Sequence, residues 1–213
     1  MTEGKYLYIM LSRTGTGMGK VIRAFTRNEY NHVSLTLDSS FRRFVSFARY
    51  RQDVALAGGF VAETAQRFLC SGQSVPIRLY RVEISPERYI QLQNIFDAAE
   101  DHHGLIYNSL GALLSTWGIR FYIPGAYTCL EFAAEILDAP VRTLQELKRY
   151  LSLYEIFQGN LEELVQDNGD RSEDYFTRRG FWGGTVDTVR HFTRLAGRLF
   201  HISKYHGPPV ELS

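Results

Sequence analysis

Apolar and polar positions alternate along the first fifty residues with the period of two that strands require. The stretch KYLYIMLS (5–12) reads as a strand. HVSLTL (32–37) repeats the pattern, with Val33, Leu35 and Leu37 on one face and His32, Ser34 and Thr36 on the other, as in a strand buried on one side only. Residues 44–48 form a third run, joined to the second by the polar DSSFRR, which predicts a hairpin; GGF at 58–60 predicts a turn. VPIRLYRVEIS (75–85) alternates again, and then the period changes. Pro86 suits the first position of a helix running to about His102. LIYNSLGALLSTW (105–117) predicts a second, mostly apolar helix, and TCLEFAAEIL (128–137) a third, ending before Pro140. SLYEIFQGNL (152–161) predicts one more strand. From about residue 170 the chain is first polar, then amphipathic. There is no internal repeat and no low-complexity segment.

Composition narrows this picture a little. A chain of 213 residues fits one domain, or one domain with an appendage, and can bury a real core. Its 45% hydrophobic and 22% charged residues are ordinary for a globular protein, and a formal net charge of +1 argues for no particular partner; no nucleic-acid partner is expected. Two cysteines make no disulfide framework, and free thiols fit a reducing compartment. The apolar stretch near Met1 is too short for a signal peptide, and no run reaches the roughly 18 apolar residues of a spanning helix. The expectation is a cytoplasmic protein.

Three stretches could carry chemistry. RTGTGMGK (13–20) is glycine-rich and is followed by a short predicted helix, GKVIRAFT (19–26). A phosphate-binding loop needs a glycine five positions before Gly19 and a hydroxyl after Lys20, where this chain has Thr14 and Val21. A turn before a helix is the better account, and no cofactor or metal is expected. His32 opens a strand. Cys129 opens a helix, with Thr128 placed to cap it, and the positive end of a helix favours a thiolate. Cys70, in RFLCSGQS, has no such placement and reads as a small buried side chain. A strand-borne histidine and a cysteine at a helix start are two halves of a thiol nucleophile site.

His32 precedes Cys129 by 97 residues. In that order NHVSLTLD (31–38), YTCLEF (127–132) and GLIYNSLG (104–111) resemble the histidine strand, the cysteine helix start and the G-x-x-Y-[DN] segment of the circularly permuted NlpC/P60 papain-like superfamily. That branch includes the YaeF/YiiX-like proteins and the lecithin:retinol acyltransferase group. The resemblance covers residues 5 to 160. It implies an α+β, circularly permuted papain-like fold in which an antiparallel sheet packs against the helix carrying the cysteine. It also implies a cysteine peptidase or amidase acting on a peptide or γ-glutamyl bond of cell-wall-derived type, with Cys129 attacking and His32 serving as base and then acid. A lipid acyltransferase or thioesterase is the alternative, and a binding module with a degraded site a third. The strand after the histidine (43–49) puts Ser46 where relatives often carry His, Glu or Gln; its hydroxyl is the expected third member, ahead of Arg49. Leu130 stands where Ser or Thr is usual, and Glu131 reads as structural. Tyr127, Tyr30 and Asn31 are candidates for the second oxyanion donor beside the Cys129 amide.

The resemblance leaves out the tail, so the expected division is a catalytic domain over 1–170 and a helical extension over 171–213. From Arg178 to His206 five arginines and one lysine oppose a single acid, Asp187. Residues 185–200 fit a helix with Val186, Val189, Phe192, Leu195, Ala196, Leu199 and Phe200 over half its circumference. Arg190, Arg194 and Arg198 fall on the other half, as a helix docked on the body with a solvated basic face, or as one that meets an anionic membrane or a protein partner.

Overall fold

Alternation becomes a sheet in the computed structural model, which describes residues 4–14, 29–54, 56–70, 72, 74–99, 105–114, 121–166 and 174–201. The strands are β1 (Lys5–Ser12), β2 (His32–Thr36), β3 (Arg43–Arg49), β4 (Gly58–Thr64), β5 (Pro76–Ile84), β6 (Ile106–Tyr107), β7 (Ala126–Tyr127) and β8 (Glu155–Asn160). They form one sheet in the order β7-β6-β4-β3-β2-β1-β5-β8. Every neighbouring pair is antiparallel except β6–β7. The helices are α1 (Ala65–Leu69), α2 (Pro86–Asp97), α3 (Ser109–Leu114), α4 (Cys129–Ile136), α5 (Leu144–Tyr150) and α6 (Gly180–His201). Sheet and helices together make an α+β fold.

Both faces of the sheet are covered. Leu7, Ile9, Leu11, Val33, Leu35, Val45 and Phe47 point to one side, where α2, α4 and α5 bring Leu92, Phe132, Ala133, Ile136 and Leu147 against them. Tyr8, Met10, Phe44, Ile77 and Leu79 point to the other, covered by Phe68 and Leu69 of α1 and by Leu161 and Val165. This corrects the one-sided reading of 32–37: Ser34 and Thr36 are buried, under the second layer rather than under water. Polar side chains on that buried face need partners from within the protein.

Other elements also differ from expectation. GGF at 58–60 opens β4 instead of turning, because these glycines allow close approach: a Cβ at Gly58 would lie 2.2 Å from the Ala48 carbonyl oxygen, and one at Gly59 2.1 Å from the Tyr50 hydroxyl. The helix expected from 105 begins at Ser109, after Ile106 and Tyr107 have paired as a strand. A 3-10 turn over Ser152–Tyr154 precedes β8. The hairpin joining β2 to β3 turns on Asp38, whose carboxylate accepts from the Ser40 amide at 2.8 Å. The helix expected over 19–26 and the glycine-rich stretch from residue 15 lie outside the described residues.

The last helix is longer than its periodicity suggests, spanning Gly180–His201. Leu195, with Phe192 and Leu199 beside it, docks on Ile106, Ile123 and Ala126. Val186 and Val189, expected on that same face, are exposed. Docking therefore uses a stripe of α6 that includes His191 and turns Arg198 inward, where its guanidinium donates to the Pro124 carbonyl at 3.1 Å. The three arginines do not share one solvated face.

Candidate active site

Cys129 owes its position to a capped helix start. The Thr128 hydroxyl accepts from the Glu131 amide at 3.1 Å, and the Glu131 carboxylate accepts from the Thr128 amide at 2.8 Å. This reciprocal box gives Glu131 a structural role. It leaves the amides of Cys129 and Leu130, first-turn groups that have no partner within a helix, toward the end where the thiol sits. One turn on, Phe132 packs between Phe47 and Phe60, with ring centroids 5.4 and 5.0 Å away. Burying that ring fixes the helix on the sheet with roughly 1.5–3 kcal/mol.

The sheet supplies the imidazole. β1 pairs Ser12 with His32 and Met10 with Ser34, which places His32 and Ser34 on the face of the second core layer. β3 and β4 pair Ser46 with Val61 and Phe44 with Glu63, bringing Ser46 and Glu63 to the same face. β2 and β3 share one registered pair, Leu35 with Val45. His32 lies beyond it, where α4 packs across both strands and brings the Cys129 side chain near enough to act on the charge of the imidazole.

Glu63 organises this cluster. Its Oε2 accepts from His32 Nε2 at 2.8 Å and from the Ser34 hydroxyl at 3.0 Å, and the Ser46 hydroxyl donates to the same oxygen. A carboxylate only accepts, so Nε2 carries a proton, and Nδ1 is the ring nitrogen left for a second partner. Ser46 Oγ is 3.3 Å from Nε2. It stands beside the ring nitrogen, as expected of the third member, but the closer partner of that nitrogen is Glu63.

The charges reinforce one another. Burial works against a cationic His32, but the Glu63 carboxylate and the Cys129 side chain outweigh it and raise the imidazole to about 10. Burial likewise opposes the Glu63 anion, yet His32 and the Ser46 hydroxyl hold that carboxyl down to about 2. The resting pair is an imidazolium on a carboxylate.

Tyr107 completes the surroundings. The parallel pairing of β6 with β7 sets Tyr107 beside Tyr127, two residues before Cys129. Burial and the charge of Cys129 both push the Tyr107 phenol upward. Asn108 anchors this corner: its Oδ1 accepts from the Gly111 amide at 2.8 Å, its Nδ2 donates to the Phe121 carbonyl at 2.6 Å, and its backbone amide donates to the Tyr127 carbonyl at 2.8 Å. The three expected oxyanion donors are occupied elsewhere. Tyr127 packs its ring on Phe47, and its hydroxyl meets Glu135. Tyr30 is buried among Glu29, Arg78 and Lys148. Asn31 exchanges hydrogen bonds with Thr14, at 2.8 Å to the amide and 2.9 Å to the hydroxyl. Arg49 reaches the Tyr175 hydroxyl at 3.2 Å, and the Cys70 thiol donates to the Arg67 carbonyl at 3.2 Å.

The residues that sequence reasoning missed are Glu63 and Tyr107. A signal for Glu63 existed: FVAET (60–64) is an apolar run interrupted by one acid, on the face that pairs with Ser46. Among the described residues no group of three or more His, Cys, Asp or Glu side chains is placed to hold a metal ion, and no helix is long and apolar enough to cross a membrane. Comparison with protein-family models, curated proteins and solved structures finds no match to this chain.

Proposed function

We propose that the protein is a cysteine-nucleophile hydrolase of amide bonds, on a circularly permuted papain-like fold, with Cys129, His32 and Glu63 as its triad. The observation that carries the reading is Glu63 Oε2 on His32 Nε2, with Cys129 at the start of a helix packed across the histidine strand and near enough to act on the imidazole charge. That is the nucleophile, base and orienting carboxylate arrangement of covalent acyl transfer. The cysteine helix lying on an antiparallel sheet, and the histidine strand preceding it, support the fold assignment.

In this mechanism the Cys129 thiolate attacks the carbonyl carbon, while the imidazolium holds the proton. The C–N bond breaks as Nδ1–H protonates the departing amine, leaving a thioester on Cys129 and a neutral imidazole. Water then gives a proton to Nδ1 and its oxygen to the thioester carbon, releasing the acid and restoring the ion pair. The oxyanion of each tetrahedral intermediate is met by the Cys129 amide and, on the far side, the Tyr107 hydroxyl. The substrate class carried by the motif resemblance is a peptide or γ-glutamyl amide. Acyl esters are a second reading, favoured by the exposed apolar side chains of α6. A binding module with a degraded site rests on Ser46 and Leu130 standing where other residues are usual; the Glu63 carboxylate supplies a stronger orienter from the next strand.

Paired panels of γ-glutamyl or aminoacyl amides and medium-chain acyl esters test the reading. Wild-type protein is expected to turn over an amide, Cys129→Ala to lose all turnover while keeping its melting temperature, and His32→Ala to fall by about 10³-fold or more. Iodoacetamide should label Cys129 well before Cys70, and His32→Ala should abolish that preference. Equal labelling of the two thiols in the wild type would falsify the ion-pair reading.

A further inference from the structure

We infer that α6 is a membrane-surface helix that lays an apolar ridge onto anionic lipid. The ridge is on the side turned away from the body. Trp182 is 80% exposed at its start, and Val186 and Val189 are 54% and 60% exposed further along; Phe181, also 80% exposed, lies about 100° round the helix from Trp182. At about 100° per residue, Trp182, Val186 and Val189 fall within one narrow sector, opposite the sector that docks Leu195 and His191. The threonines beside them add no free hydroxyl. Thr185 donates to the Phe181 carbonyl at 2.8 Å, and Thr193 to the Val189 carbonyl at 2.9 Å, so both show methyl groups outward.

Charge identifies what the ridge meets. Between residues 178 and 201 there are five arginines and one acid, Asp187, and that acid is paired with Arg179 at 3.4 Å. Arg190 and Arg194 are exposed, Arg190 beside the ridge and Arg194 further round toward the docked side. A tryptophan at one end, aliphatic side chains behind it and arginines alongside are what an interfacial helix needs: the indole sits at headgroup depth and the guanidinium groups snorkel to lipid phosphates. The ridge exposes on the order of 350 Å² of side chain, less than the ~800 Å² per partner of a stable protein interface, which disfavours a second copy of the chain as its occupant. The inference is independent of the hydrolase reading.

Co-sedimentation of the full chain with vesicles tests it, using phosphatidylcholine alone and phosphatidylcholine with about one-third phosphatidylglycerol. The protein is expected to pellet with the anionic vesicles at low salt, not with the neutral ones, and to be released at about 0.5 M salt. Tryptophan emission should shift to the blue on binding, and the shift should vanish in Trp182→Phe, which leaves Trp117. Arg190→Gln with Arg194→Gln should weaken partitioning about 20–30-fold. These side chains are exposed, so their variants should melt like the wild type. Cys129→Ala should bind like wild type, which separates lipid binding from any reaction. Absence of binding to anionic vesicles at low salt overturns the inference. So does binding with a shift that survives Trp182→Phe, which would assign the contact to another surface. A dimer formed without lipid and dissolved by Trp182→Ala would assign the ridge to a second copy.

Discussion

A carboxylate oxygen that accepts from His32, Ser34 and Ser46 together stays in place when either serine is lost. The two kinds of substitution at this site therefore differ in size. Ser46→Ala removes one donor of three, and kcat/KM for a turned-over amide should fall by less than about tenfold. Glu63→Gln keeps an oxygen that can accept from Nε2 but removes the charge that holds the imidazolium, and the fall should be roughly 10²-fold or more. The pH profile separates orientation from mere packing. In the proposed mechanism protonated His32 is the acid that releases the amine, and, against the opposing effect of burial, the Glu63 carboxylate raises its pKa to about 10. Without the Glu63 charge the burial that opposes a cation is no longer outweighed to the same degree, so the alkaline limb should move toward acid. An unchanged limb in Glu63→Gln would show that the carboxylate does not tune the ring.

At the scale of elements, the glycines of β4 connect sequence to site. An alanine at position 58 would press its Cβ onto the backbone carbonyl of Ala48, which cannot swing aside as a side chain can. Gly58→Ala should lower the urea midpoint by an amount equivalent to about 1–3 kcal/mol, and should lower activity as well, because β4 carries Glu63. Gly197→Ala is the control: nothing lies within 4 Å of its added Cβ on exposed α6, and the helix should gain up to ~1 kcal/mol. The same glycines explain what was hard to read. GGF carries the local signature of a turn, and only the approach of β3 and of the Leu105 carbonyl shows why a strand needs it. Without the β4 strand Glu63 has no strand to stand on in the sequence, and Ser46 is the visible third member. Tyr107 and Asn108 were legible as a motif but not as a two-residue strand, since their pairing with Ala126 and Tyr127 is set by tertiary contact. What depends on local chemistry was legible: the alternation of β1, Pro86 opening α2, and Thr128 capping α4. Periodicity found α6 but not its docked side, because the docked stripe carries Thr188, His191 and Arg198 among its apolar residues, while two valines face out.

Across the whole molecule, two histidines respond to pH in opposite directions, and they divide the protein into a body and a docked helix. His32 is raised from 6.5 to about 10, so its contribution to stability is complete below about 6.5 and is lost as the pH rises through about 10. Glu63 is lowered from 4.5 to about 2, so its contribution is complete above about 4.5 and is lost as the pH falls toward 2. The pair in the body is thus at full strength between about 4.5 and 6.5. His191 behaves otherwise. It is buried at the docked face of α6, with its Nε2 3.3 Å from the Ser109 hydroxyl and its ring near the Tyr107 backbone. Burial lowers its pKa from 6.5, and the nearby Arg194 adds to the effect, the Tyr107 backbone opposing both. A lowered histidine stabilises the docked state above its unfolded value and withdraws that stability as the pH falls through its folded one. From pH 7 to pH 5, α6 should therefore loosen while the sheet does not. Hydrogen exchange should show the amides of α6 losing protection over that interval, with those of β1, β2 and β3 unchanged or better protected. His191→Phe, which fills the site without a titrating group, should leave α6 protected at both pH values. Loss of protection in the sheet together with α6, or an equal loss in His191→Phe, would show that the two parts unfold as one unit and that His191 does not control the docking.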